Sequence, residues 1–162
     1  MADQDTSGLQ AKVLTISDGV IHGTREDKSG EALADYLGEQ GFSVVERRAV
    51  ADGVENVRDA LLDLTKDFNG VVVTTGGTGF GPRDLTPEGT RAVLEREAPG
   101  LAEAMRLINP LGRLSRGLAG TVGLALVLNT PGSTKGCVEM TSAVIDVVPH
   151  AIRLMADTPT DH

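Results

Sequence analysis

The sequence predicts an α/β protein whose largely parallel sheet is covered by helices on both faces. Three observations lead there. Strand-like and helix-like segments alternate along the chain, the order expected of parallel strands joined by crossover helices. The run Gly70-Val71-Val72-Val73 is apolar without alternation, as a strand buried on both faces must be. The 162 residues amount to one domain, large enough to bury a proper core.

The chain opens on polar residues 1–11, expected to be loosely ordered, before a single domain over 12–156 and a tail over 157–162. Lys12-Val13-Leu14-Thr15-Ile16 reads as the first strand. Ser17 to Lys28 is a polar loop, and Ser29 is placed to cap a helix whose 3.6-residue stripe is Ala32, Leu33, Tyr36 and Leu37. Gly41 ends that helix at the C′ position. Phe42 to Val50 reads as a second strand, polar on one side and so near an edge. Val54, Val57, Leu61 and Leu64 mark one face of a helix reaching about Lys66, and Val71–Thr75 is the third strand. Two short helices are expected over Pro87–Glu97 and Leu101–Ile108. Apolar runs Leu118–Val122 and Leu124–Leu128, broken at Gly123, suggest a hairpin or a bend. A last helix is expected from Ser133 to about Met155, kinked at Pro149.

The stretch after the third strand carries the chemistry. Four glycines fall within six residues (Gly76, Gly77, Gly79, Gly81), followed by Arg83 and Asp84. Glycine permits positive φ and close backbone approach, so such a loop can aim several N–H groups at one anion. Thr86-Pro87-Glu88 then reads as N-cap, first helical residue and early carboxylate. Neither familiar phosphate motif fits. The dinucleotide fingerprint needs glycine at Pro82, and Pro82-Arg83 stands where the P-loop has Lys-Ser/Thr.

Composition narrows the ligand. A net charge of −8 argues against binding the phosphate backbone of nucleic acids. Three Phe, one Tyr and no Trp leave no stacking platform for single strands, and make the core aliphatic. An acidic chain can hold a phosphorylated small molecule only through local donors or a cation, which points to Mg²⁺. The single cysteine, Cys137, reads as apolar filler and fits a reducing compartment. No apolar run approaches a membrane span and the N-terminus lacks signal-peptide features, so a cytoplasmic protein is expected.

In open α/β sheets ligands bind beyond the carboxyl ends of the strands. Ser17-Asp18, Asp52, Gly76–Asp84 and Asn129–Ser133 each follow a strand and fall on that one rim. Asp52 is either an N-cap, with Glu55 three residues on, or a ligand. Asp84 has less claim to a capping role because Thr86 is available. Two rim carboxylates beside an anion cradle suit Mg²⁺, whose other ligands are waters and phosphate oxygens. Arg116 in Leu114-Ser115-Arg116 is either a solvated charge or a phosphate fork. Pro131-Gly132-Ser133-Thr134-Lys135 opens a helix with small residues and one cation, suited to an anion or simply to capping by Ser133.

These residues together resemble the molybdopterin adenylyltransferases of molybdenum cofactor biosynthesis (MogA/MoaB-like). The resemblance runs from about Lys12 to Met155. It is carried by Thr75-Gly76-Gly77-Thr78-Gly79 with Pro82-Arg83-Asp84-Leu85-Thr86-Pro87-Glu88, and supported by Ser17-Asp18, Ala51-Asp52-Gly53, Leu114-Ser115-Arg116 and Asn129–Ser133. Thr130 and Thr134 depart from the Leu and Pro usual in the last of these. The resemblance implies a three-layer αβα fold, usually trimeric. It implies Mg²⁺-dependent transfer of AMP from ATP to the terminal phosphate of molybdopterin, with release of pyrophosphate and hand-over to a molybdate-inserting enzyme. Asp52 and Asp84 match the family's essential aspartates and implied Mg²⁺ ligands. The Gly76–Gly79 and Pro131–Ser133 loops match its ligand-binding rim, and Ser17, Asp18, Thr75, Gly76, Gly77, Thr78, Gly79, Arg83, Ser115, Arg116, Pro131, Gly132, Ser133 and Lys135 are together the candidate substrate- and nucleotide-binding residues. A non-catalytic pterin- or nucleotide-binding carrier of the same fold is the alternative, against which the intact carboxylate pair argues.

Overall fold

The computed structural model describes residues 4–157. Six strands form one sheet: β1 (Gln10–Ile16), β2 (Ser43–Val50), β3 (Gly70–Thr75), β4 (Arg96–Glu97), β5 (Ala119–Val122) and β6 (Ala125–Thr130), in the order β2-β1-β3-β6-β5-β4. β2, β1, β3 and β6 run parallel, and β5 and β4 join antiparallel at one edge. The helices are α1 (Asp18–Ile21), α2 (Lys28–Glu39), α3 (Val54–Thr65), α4 (Thr86–Arg91), α5 (Pro99–Leu107), α6 (Thr134–Ser142) and α7 (Val148–Met155), with a 3-10 turn at Pro110–Leu114.

Successive strand residues point to opposite faces, and each face has its own core. Val13, Val71, Val73, Leu126 and Leu128 pack against α2, α5, α6 and α7 through Leu33, Leu37, Met105, Met140 and Ile152. Leu14, Ile16, Val72 and Val127 pack against α3 through Val57, Leu61 and Leu64. The result is the three-layer sandwich expected. β2 is indeed an edge strand, and the break at Gly123 is a hairpin turn between β5 and β6. β1 begins at Gln10, two residues ahead of the expected domain start; residues 1–3 and 158–162 of the expected tails lie outside the described residues.

Four local expectations give way to tertiary context. The polar loop after β1 holds α1, capped by Ser17, whose side chain accepts from the Val20 N–H. The cap of α2 is Asp27 rather than Ser29: its carboxylate takes the Gly30 N–H at 3.1 Å and also the Thr15 hydroxyl and Arg47. The helix expected over 87–97 stops at Arg91, because Arg96–Glu97 pairs with Gly120–Thr121 as a strand. The last helix is two, broken over 143–147. Pro149 starts the second instead of kinking the first, in the first turn where its missing N–H leaves no acceptor unmet.

Candidate functional site

The carboxyl ends of β1, β2, β3 and β6 open onto one cleft of about 840 Å³. Because β5 runs antiparallel, Ser115, just ahead of it, reaches the same rim. Ser17, Asp52, Thr75, Gly76, Gly77, Thr78, Gly79, Asp84, Ser115, Pro131, Gly132 and Ser133 all line the cleft, as the strand-end rule anticipates.

The glycine loop is tied at both ends. The Gly76 N–H donates to the Thr130 carbonyl at 3.0 Å, and the Gly81 N–H to the Asp84 carboxylate at 2.9 Å. The loop's outward carbonyls are taken as well: Thr78 accepts from the Arg116 N–H and Gly79 from the Arg116 side chain. Between these ties the N–H groups of Gly77, Thr78 and Gly79 have no acceptor among the described residues. Three consecutive free amides at a cleft wall make an anion cradle. Gly76 and Gly77 hold φ of +104° and +71°, which lets the chain turn so sharply after β3.

Thr86, expected to cap α4, does not. Leu85 occupies the cap position and makes no side-chain cap bond, while the buried Thr86 hydroxyl donates to the Gly76 carbonyl at 2.9 Å. That bond fixes the loop to the helix behind it.

Asp52 is not a helix cap either. Gly53 holds that position, and one Asp52 oxygen accepts the Asp18 N–H at 2.9 Å while Asp18 accepts the Asp52 N–H at 3.1 Å. The other oxygen, Oδ1, accepts no hydrogen bond among the described residues, and the same holds for Oδ1 of Asp84. Burial pushes the Asp52 carboxyl above its ordinary range, and the charges of Asp18 and Asp84 add to the rise. Repulsion between Asp52 and Asp84 is what a shared dication would relieve. Two uncommitted hard oxygens therefore fit Mg²⁺. No group of three or more His, Cys, Asp or Glu with metal-site geometry exists among the described residues, so the remaining ligands would be water and substrate oxygens.

Four expected ligand contacts fall elsewhere. Arg83 forks onto Asp18 with two bonds of 3.0 Å and reaches the Asp52 carbonyl at 3.1 Å. Arg83 holds Asp18 below its ordinary range, and Asp18 itself does not line the cleft. Arg116 is no phosphate fork: it bridges the carbonyls of Gly79 and Asp84 and pairs with Glu88 at 2.7 Å. Its bond holds the Glu88 carboxyl down. Lys135 lies on a smaller pocket of about 290 Å³, next to the main cleft and sharing Leu111, Pro131 and Ser133 with it.

Sequence reasoning missed other residues. Arg25 and Glu26 ahead of α2, Lys28 and Ser29 in its first turn, and Leu111 and Leu114 of the 3-10 turn also line the cleft. Asn129, expected on the rim, lies instead below the cleft, fully paired: its amide donates to the hydroxyls of Thr74 and Thr90 and its oxygen accepts the Leu118 N–H, linking β3, α4 and the residue ahead of β5. Cys137 is buried, with its thiol pushed up to about 11, and is the filler expected.

Residues 12–150 match the family model described as "Probable molybdopterin binding domain". The chain belongs to this molybdenum cofactor biosynthesis family. It is 35% identical to the molybdopterin adenylyltransferase of Helicobacter pylori (strain J99) over 88% of this chain and 85% of that one. With the Escherichia coli molybdopterin adenylyltransferase it shares 36% identity over 89% of this chain and 80% of that one. The Drosophila melanogaster protein cinnamon matches at 36% over 90% of this chain, which spans 25% of that longer protein. Among solved structures, the molybdopterin biosynthesis enzyme MoaB of Thermus thermophilus superposes with a TM-score of 0.85 at 40% identity, covering 93% of this chain and 98% of that one.

Proposed function

We propose that the protein transfers AMP from ATP to the terminal phosphate of molybdopterin, releasing pyrophosphate. The observation that carries this reading is the cleft itself, where two uncommitted carboxylate oxygens face a cradle of three free amides. Similarity to proteins named molybdopterin adenylyltransferase supports it.

In the proposed reaction an acceptor phosphate oxygen attacks the α-phosphorus of ATP. One P–O bond forms there, the bond to the β-phosphate bridging oxygen breaks, and pyrophosphate carries away that electron pair. The nucleophile is already anionic, so no strong general base is required. The difficulty lies in bringing two polyanions together. The amides of Gly77, Thr78 and Gly79 bind and orient phosphate oxygens as fixed dipoles. Asp52 and Asp84 would hold Mg²⁺, which supplies charge neutralisation on the nucleotide phosphates. Arg83 and Arg116 keep Asp52 and the glycine loop in place. The test is pyrophosphate release from ATP plus molybdopterin. Stoichiometric release with adenylylated pterin as product is expected; molybdopterin binding without release would turn the reading into that of a carrier.

The reading extends to the assembly and setting. A cytoplasmic homotrimer that hands its product to a molybdate-inserting enzyme is proposed, in keeping with the family. Leu107 and Leu111 on and after α5 are 83% and 71% exposed, beside Ile108 and Leu114, an apolar strip that a subunit contact would cover. Light scattering at micromolar concentration is expected to give three times the mass of 16.9 kDa; a monomer mass refutes the trimer. No described helix is long and apolar enough to cross a membrane.

A further inference from the structure

The arginines of the motif are spent on the protein, which leaves a question of charge. A cleft that must receive an acceptor phosphate as well as a nucleotide is lined by three carboxylates, Glu26, Asp52 and Asp84. Arg83 is committed to Asp18 and the Asp52 carbonyl, and Arg116 to Gly79, Asp84 and Glu88. Nearby Arg106 and Arg113 donate to the carbonyls of Gly117 and Pro110. None of these four lines the cleft.

The cations that do line it are Arg25 and Lys28. Both are exposed, and neither side chain has a hydrogen bond or ion pair among the described residues. Glu26 lies between them on the same lining, so the segment keeps one positive charge in excess. Asp27 does not cancel it, because its carboxylate is turned to Thr15, Gly30 and Arg47. Those three bonds, with the Arg25 N–H on the Gly19 carbonyl at 3.1 Å, pin the backbone of the lip. Fixed backbone and uncommitted tips are what recognition of a mobile anion requires.

The lip also belongs to a different layer from the carboxylates. Arg25 precedes α2 and Lys28 begins it, and α2 packs with α6 on one sheet face, while Asp52 leads into α3 on the other and Asp84 into α4, which packs on α3. One cleft thus has an acidic wall and a cationic wall, with the glycine loop between. A nucleotide can meet the acidic wall through a dication. A phosphate monoester arriving without one is repelled by the acidic wall and finds its charged partners on the cationic wall, beside the amides of the glycine loop.

We propose that Arg25 and Lys28 bind the phosphate monoester of the pterin acceptor, and so set the preference for that substrate. This rests on the adenylyl-transfer reading. The experiment compares wild type with the double variant Arg25→Ala/Lys28→Ala, using molybdopterin and ATP. The KM for molybdopterin is expected to rise at least about tenfold, with the KM for ATP within about twofold and the Tm unmoved. The pair Arg25→Lys/Lys28→Arg should restore most of the affinity, and Glu26→Gln should lower the molybdopterin KM by removing an opposing charge. An unchanged molybdopterin KM, or a rise confined to ATP, overturns the proposal. A calorimetric titration with molybdopterin in the absence of ATP separates this from the parent reading. If no pyrophosphate is ever released, binding that weakens about tenfold in the double variant still upholds the lip assignment; binding that stays the same refutes it.

Discussion

Asp52→Asn is expected to lower turnover at least about a hundredfold while leaving the fold intact, the scale seen when a preorganised electrostatic contributor is removed. The substitution isolates charge. The asparagine amide can still accept the Asp18 N–H through its remaining oxygen, so the reciprocal tie between the two loops survives. A capping role predicts silence, since Asn caps about as well as Asp, and the structure places Gly53 at that position. The stability effect has a definite sign. Burial raises the Asp52 carboxyl in the folded protein, so ionising it costs the fold more than it costs the unfolded chain. That cost is absent below the unfolded pKa and grows as pH rises through the folded one. At neutral pH the neutral amide escapes it, and the Tm of Asp52→Asn should equal or exceed that of wild type. Excess Mg²⁺ should recover part of the lost turnover, because the Asp84 carboxylate remains. Thermal melting and pyrophosphate release, measured together across Mg²⁺ concentration, check all three statements. Full activity in Asp52→Asn would remove the paired-carboxylate account and favour a binding protein.

How far the sequence foretells this site depends on the kind of interaction involved. Strands such as Val71–Thr75 announce themselves by local composition, and the strand-end rule then gathers Ser17, Asp52, the glycine loop and Ser133 without any knowledge of packing. Pairing across long separations leaves no such local trace. Arg96–Glu97 continues a helical pattern, and only the presence of Thr121 and Gly120 alongside makes it a strand. The break at 143–147 stays hidden because Pro149 suggests a kink inside a helix, when its natural place is a first turn. Arginine is the least legible residue. Nothing in the letters distinguishes Arg116, clamped on carbonyls, from Arg25, open to the cleft, and the motif draws attention to the wrong ones. Thr86 shows the same limit at a helix start: its hydroxyl finds a better acceptor in the Gly76 carbonyl than anything a capping rule considers.

The second large effect is expected at Gly76. Gly76→Ala should lower the Tm by roughly 6–12 °C, and with it most of the activity. Its φ of +104° is a conformation L-residues rarely adopt, which costs on the order of 1–3 kcal/mol. A Cβ there would also stand 2.2 Å from the Ile16 carbonyl oxygen, a backbone atom of β1 held in the sheet that cannot swing aside. Forcing that contact adds about 1–3 kcal/mol of overpacking. Taking about 3 kcal/mol together, at about 2–4 °C per kcal/mol for a chain of this size, gives the stated shift. The loss of activity has a separate cause. Relief of the clash moves the loop away from β1, and the free amides of Gly77, Thr78 and Gly79 move with it, out of the register that the ties to Thr130 and Thr86 impose. Gly132→Ala is the control from the facing loop. Its φ is not positive, and its new methyl would meet only the Gly76 Cα, at an ordinary 3.5 Å. Its Tm should stay within about a degree of wild type, because an unstrained substitution of this kind carries little cost. Equal melting temperatures for the two variants would mean that the turn after β3 is not held as tightly as its hydrogen bonds indicate.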